Sequence, residues 1–205
     1  YRTVYGLPIT LDGISAAGRT DTWLLAEPLR ASGMGQNEIN RRMRTAFDVM
    51  EDYVETHLGS LEDRVLPGVP ELLRALSQRH EHLGLLTGNL RRIAVAKMTH
   101  AGLDGYFQEG GFGEESSVRA HLVPVAVAKA SAHSGRVFPP RRVFVIGDTP
   151  MDIEAGLEHG MRTVGVATGP YSLPDLKEAG AETVLASFAD TEATLAELER
   201  LAAGS

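Results

Sequence analysis

The sequence predicts an α/β fold in which a parallel sheet is layered with helices and carries a small helical lobe in front. Three observations lead there. From residue 67 onward, short β-branched apolar runs alternate with helical stretches, the pattern of βαβ units. Those helical stretches run about 10 to 15 residues, enough for a right-handed crossover between parallel strands. Before residue 67 no convincing buried strand occurs, and apolar residues instead recur at helical spacing.

In chain order, residues 1–66 read as the helical lobe and 67–205 as the α/β core. A short helix is expected through Trp23 and Leu24 toward Gly33, interrupted at Pro28. The stripe Ile39, Met43, Phe47, Met50, Val54 and Leu58 marks one face of a long helix, with Asn37 as N-cap and Gly59 as stop. On that helix, Arg41-Arg42-Met43-Arg44 reads as a solvated face rather than a binding patch. In the core, helices are expected over 69–80, 90–102, 120–134, 152–159 and 191–203, and strands over 83–87, 143–146 and 163–167.

Composition narrows the function. The 205 residues allow one domain, or a core with a smaller lobe, and 43% hydrophobic with 23% charged residues excludes disorder as the main description. Cysteine is absent, which removes disulfides, thiolate metal sites and cysteine nucleophiles, so any metal must sit on oxygen or imidazole. The seven histidines lie scattered, without the pairing of a helical zinc site. A net charge of −7 provides no basic field for a phosphate backbone, so nucleic acid is not the expected partner. No apolar run approaches the ~18 residues needed to span a bilayer, and no leader pattern opens the chain. A cytoplasmic protein without a membrane partner, monomeric or homodimeric, is the expectation.

Two motifs carry chemistry. The run from Val143 to Gly156 is an apolar strand that enters a Gly147-Asp148 turn and then a helix bearing Asp152. It places two carboxylates at the C-terminal edge of a parallel sheet, where such folds bind ligands. Magnesium takes one or two carboxylates and shares its shell with water and substrate phosphate, which suits Asp148 and Asp152. The plainer alternative is that Asp148 caps the helix and Asp152 is exposed in its first turn. The second motif ends another strand in Thr87-Gly88-Asn89 before a helix. There a hydroxyl, an amide and backbone N–H groups at a helix start could hold an anion, the alternative being a simple helix cap.

Together these motifs resemble the haloacid dehalogenase superfamily, in its magnesium-dependent phosphatase branch related to phosphoglycolate phosphatase. The resemblance implies a three-layer Rossmann-like core with a helical cap, a Mg²⁺ cofactor and a small phosphorylated metabolite as substrate. It assigns Thr87, with Gly88 and Asn89, to the phosphoryl group, and Asp148 and Asp152 to the metal. The family's basic third motif maps to Arg119, with Lys129 as the weaker candidate, and its cap contacts map to Arg19 and Thr20. Thr20 or Asp21 could equally be a plain helix cap. Phosphonatases of the superfamily use a cap lysine, yet no lysine precedes Lys97.

The departure from the family lies in its first motif. No Asp-x-Asp, the source of nucleophile and acid/base, occurs in these residues. The nearest imitation, Thr10-Leu11-Asp12-Gly13-Ile14, reads as a loop, and Tyr1 to Gly6 resembles the last turn of the helix that normally follows that motif. The expectation is an N-terminally incomplete sequence, inactive as it stands, with a non-catalytic Mg²⁺- and phosphate-binding relic as the alternative. By resemblance the nucleophile strand lies between the strands ending at Thr87 and Asp148. About five buried apolar side chains there would contribute on the order of 8 to 15 kcal/mol, so these residues alone are expected to be molten or insoluble.

Overall fold

Residues 1–204 are described by a computed structural model. The front begins with one helical turn, α1 (Arg2–Tyr5), stopped at Gly6, whose φ of 73° suits glycine. Helix α2 (Asp21–Ala31) starts where the Thr20 side chain accepts the Trp23 N–H. Contrary to the expected interruption, α2 runs through Pro28. Proline has no N–H for the Leu24 carbonyl four residues back, and the Tyr1 hydroxyl donates to that carbonyl instead. Burial, with help from Tyr5, pushes the Tyr1 phenol up to about 12, so it keeps its proton. Helix α3 (Gln36–His57) is preceded by Gly35 as N-cap, not Asn37, and closes on Leu58, one residue before Gly59.

The stripe on α3 packs as its spacing predicts: Ile39 and Phe47 are buried with Tyr5, Leu25 and Leu29, flanked by Met43, Met50 and Val54. Leu90 and Ile93 complete this cluster from beyond residue 66, so the helical front shares its core with the α/β part of the chain. The arginine run is exposed and paired along the helix, Arg42 with Glu38 at 2.7 Å and Arg44 with Asp48 at 2.5 Å.

Beyond residue 66 come α4 (Val69–Gln78), β1 (Gly84–Leu86), α5 (Arg91–His100), β2 (Glu109–Gly111) and α6 (Leu122–Ser134). After them lie β3 (Phe144–Gly147), α7 (Pro150–Glu158), β4 (Arg162–Val166), α8 (Leu173–Glu178), β5 (Thr183–Leu185) and α9 (Thr191–Ala203). Every pairing among the described residues is parallel: β1 with β2, β3 with β4, and β4 with β5. β4 is buried along its whole length, as a strand covered on both faces must be. β2, β5 and α8 have no counterpart among the elements expected from the sequence. β2 is Glu-Gly-Gly, without β-branched residues, because a Cβ at Gly110 would overlap the Leu85 carbonyl and one at Gly111 the Leu122 carbonyl.

The strands form two separate sheets, β1-β2 and β3-β4-β5. The division falls between the strands ending at Thr87 and Asp148, where the sequence reading opens the sheet. The halves are joined by side chains: Leu86 of β1 packs with Val123, Val145, Ala155 and Met161. Helix α5 is tied to α3 as well, since Arg92 reaches Glu51 at 3.1 Å and Glu55 at 2.7 Å. An unpaired parallel edge leaves backbone N–H and C=O groups without ladder partners, and Ile146 on β3 is 38% exposed. Residues 1–205 expressed alone are therefore expected to lack a cooperative thermal transition. A sharp two-state melt with dispersed amide signals would overturn this.

Candidate active site

Helix α7 begins with Thr149 as N-cap and a full capping box: the Thr149 side chain accepts the Asp152 N–H while Asp152 accepts the Thr149 N–H at 3.1 Å. Asp152 Oδ2 also accepts the Thr149 hydroxyl at 2.8 Å, and Oδ1 receives Arg119 Nε at 2.6 Å. Asp152 is 2% exposed, so its charge is held inside by a guanidinium and the helix start rather than standing in solvent. A Cβ at Gly147 would overlap this carboxylate, which is why glycine precedes Asp148.

Asp148 differs. It does not cap α7, and among the described residues no other side chain donates to its carboxylate. Burial first, then the Asp152 charge, raises its pKa, opposed by its own backbone N–H and by Arg119. Gly169 leaves room beside it, since a Cβ there would overlap Asp148 Oδ2. A half-buried carboxylate without a side-chain donor of its own suits a hard cation. Asp152 already serves Arg119, so Asp148 is the freer ligand. Among the described residues no group of three or more acidic or histidine side chains converges. Magnesium held here would complete its shell with water and phosphate, as it commonly does.

Arg119 lies in a short 3₁₀ turn before α6, and its Nη2 also approaches the Leu86 carbonyl at 3.4 Å. It therefore spans from the first turn of α7 to the end of β1, next to Thr87. Lys129 is placed differently: it donates to the Gly110 carbonyl at 3.1 Å and pairs with Glu115, staying within the β2–α6 connection.

At the end of β1, the Thr87 N–H continues the ladder to Gly111 O at 3.0 Å, and the Thr87 hydroxyl oxygen accepts the Asn89 N–H at 3.2 Å. The N-terminus of α5 is not the free anion site that the sequence suggested. The Leu90 N–H goes to Asp21 at 2.8 Å and the Arg91 N–H to Glu114 at 2.9 Å. Two carboxylates thus already occupy the positive end of the helix. The Asn89 side chain is also taken, accepting Lys97 Nζ at 2.7 Å and facing Asp21 at 3.5 Å. Among the described residues the Thr87 O–H and the N–H of the buried Gly88 donate to no partner. Gly88 is glycine because a Cβ would overlap the Arg19 carbonyl.

That contact brings the helical front over both strand ends. Gly18, with φ of 74°, lies so close to Thr149 and Met151 that a Cβ would sit 3.0 Å from Thr149 Oγ1. Arg19 stacks on Trp23 at 4.2 Å and makes no ion pair among the described residues, leaving its guanidinium available. Thr20 is 1% exposed and spent as the α2 cap, so of this pair only Arg19 can meet a ligand. Thr10 and Asp12 bond only each other in an exposed loop. Asp21 and Glu114 were missed as partners of α5 because their contacts span 69 and 23 residues and leave no local pattern.

Known proteins resemble this chain in sequence and in fold. Phosphonoacetaldehyde hydrolase from Bacillus cereus is 28% identical over 144 residues, 67% of this chain and 53% of that protein. The phosphonoacetaldehyde hydrolase of Latilactobacillus sakei subsp. sakei (strain 23K) is 27% identical over 153 residues, 73% of this chain and 57% of that protein. The chain thus spans about half the length of the curated relatives it matches. A hydrolase from Pseudomonas syringae shares the fold with a TM-score of 0.65 at 21% identity, over 96% of this chain and 87% of that one. A phosphonoacetaldehyde hydrolase-like protein from Oleispira antarctica does so with a TM-score of 0.61 at 21% identity, over 90% and 74%. The family described as haloacid dehalogenase-like hydrolase matches residues 8–160, most of the chain, from the front loop through α7. This protein belongs to the haloacid dehalogenase-like hydrolases.

Proposed function

We propose that this chain forms the cap and most of the core of a Mg²⁺-dependent phosphomonoester hydrolase acting on a small phosphorylated metabolite through an aspartyl-phosphate intermediate. The observation that carries this reading is Arg119, which pairs with Asp152 on one half of the sheet and reaches Leu86 O, beside Thr87, on the other. Phosphate oxygens would meet the Thr87 O–H, the Gly88 N–H and the remaining donors of Arg119. Asp148, with Asp152 behind it, would hold the magnesium, whose chemistry is to offset the charge of the transferring phosphoryl group. Arg119 would do the same while staying paired with Asp152. The attacking aspartate would come from outside these 205 residues, and its neighbour two positions on would protonate the leaving alcohol and then activate water.

Two other readings have specific support. The curated relatives named phosphonoacetaldehyde hydrolase favour cleavage of a C–P bond. By resemblance that reaction needs an imine-forming lysine in the cap, and the first lysine, Lys97, lies in α5 with its ammonium held by Asn89. Borohydride trapping with phosphonoacetaldehyde decides between them. The absence of Asp-x-Asp favours a relic that binds Mg²⁺ and phosphate without turnover. Phosphate binding with no hydrolysis by the complete gene product would establish it.

With an aryl phosphate, the complete gene product is expected to turn over only with Mg²⁺ or a close substitute, and Asp148→Asn is expected to abolish activity. Full activity in excess chelator sinks the metal role. Thr87→Ala is expected to lower kcat/KM by about 10- to 100-fold with the fold intact, because one phosphate donor is lost. An unchanged kcat/KM at equal folded concentration means that Thr87 is only a helix cap. Arg119→Ala is expected to cost about 100-fold or more in kcat/KM, with Arg119→Lys recovering part. Lys129→Ala should stay near the parent, and the reverse ranking reassigns the basic residue.

A further inference from the structure

Helix α5 has no side-chain cap of its own: its N-cap residue is Leu90. The cap comes from the helical front, 69 residues away, where Asp21 Oδ2 accepts the Leu90 N–H at 2.8 Å. The Asp21 main chain closes the same junction from the other side, donating its N–H to Gly88 O at 2.7 Å. One residue of α2 thus grips the turn at Gly88 and at Leu90. The Asn89 side chain between them is oriented by Lys97, whose ammonium takes Oδ1 and so turns Nδ2 toward Asp21. Around this grip the backbones meet without side chains, since a Cβ at Gly88 would overlap Arg19 O and one at Gly113 would overlap Gly88 O. Asp21 is 8% exposed, and burial raises its pKa, opposed by the Leu90 N–H at the positive end of α5, by Asn89 and by Lys97.

We propose that Asp21 is a positioning residue: by capping α5 from the helical front, it orders the turn from Thr87 to Leu90 and holds the Gly88 N–H and Thr87 O–H in place for phosphate. The consequence for phosphate rests on the phosphatase reading above, whereas the ordering of the turn does not. Without the carboxylate, the Leu90 N–H loses its acceptor, Asn89 loses the group it faces, and the α2–turn contact keeps only the Asp21 N–H to Gly88 bond. The Gly88 N–H, which has no partner among the described residues, would then no longer be aimed by its surroundings. Thr22 supplies a control, because its hydroxyl donates to Gly113 O at 2.5 Å, another contact from α2 to the core that touches neither Leu90 nor Asp21 Oδ2.

The experiment compares Asp21→Ala, Asp21→Asn and Thr22→Ala with the parent in the complete gene product. Two quantities are read: hydrogen exchange at the Leu90 amide, and binding of inorganic phosphate in the presence of Mg²⁺. Loss of a helix cap predicts Leu90 exchange faster by about three- to thirty-fold in Asp21→Ala, with phosphate affinity falling in the same direction. Asp21→Asn keeps an acceptor and should recover part of both, whereas Thr22→Ala should leave both near the parent. Parent-like Leu90 protection in Asp21→Ala overturns the proposal. So does an unchanged phosphate affinity when protection is lost, and so does a Thr22→Ala effect as large as that of Asp21→Ala. A parent that binds no phosphate overturns the phosphatase reading instead, and Leu90 exchange then still decides whether Asp21 orders the turn.

Discussion

The ion pair between Arg119 and Asp152 is the constraint on which the site depends. Both partners are largely removed from water, at 14% and 3% side-chain exposure. A buried charge left without its partner is costly, so neither group can be lost or moved without the other. Asp152 accepts from Arg119 on one oxygen and from Thr149 on the other, which fixes the guanidinium to the first turn of α7. Nη2, which also pairs with Asp152 Oδ1 at 2.6 Å, reaches the Leu86 carbonyl at the end of β1 at 3.4 Å. An arginine does this better than a lysine, since its planar fork serves a carboxylate and still presents N–H groups elsewhere.

The pair also divides labour between the two aspartates. Asp152 is satisfied, while Asp148 is half-buried, feels the Asp152 charge and has no side-chain donor of its own among the described residues. A carboxylate whose charged form is disfavoured by burial and a like charge gains most from a cation. The same logic explains why the start of α5 is not an anion site despite its sequence. Asp21 and Glu114 already supply negative charge to its first N–H groups. A phosphate bound as proposed would therefore depend on Thr87, Gly88 and Arg119 rather than on the dipole of that helix.

The sequence showed most of what is local. Apolar strands ending in Thr87 and Asp148, the α3 stripe and the Gly-Asp turn are all periodic or contiguous signals, and each lies where its pattern places it. What stayed hidden depends on contacts distant in sequence. Pro28 continues a helix because Tyr1 supplies a donor. Glu109-Gly110-Gly111 is a strand because neighbouring backbones leave no room for side chains. Asp21 looks like the first residue of a helix, which it is, while its carboxylate caps a different helix. Capping by a remote residue leaves no trace in a window of ten residues. Sequence offered Arg119 ahead of Lys129 only as an order of preference; in the structure Arg119 pairs with Asp152 and Lys129 with Glu115, contacts that no local pattern announces.

Thr87 stands on one half of the divided sheet and Asp148 on the other, so their separation is not set by a shared hydrogen-bond ladder. It is set by the helical layer, where Val123 of α6 and Ala155 of α7 pack with Leu86 and Val145, and by Arg119. Side-chain packing resists compression well but specifies spacing less strictly than a continuous ladder, which holds neighbouring strands about 4.8 Å apart. A strand pairing with both β1 and β3 would convert that spacing from a packed one to a bonded one. It would also deliver its own C-terminal residue between Thr87 and Asp148, at the edge where parallel sheets bind ligands. Completing the sheet and completing the proposed site would then be one event, because the strand that bonded the two halves together would also set the distance between Thr87 and Asp148.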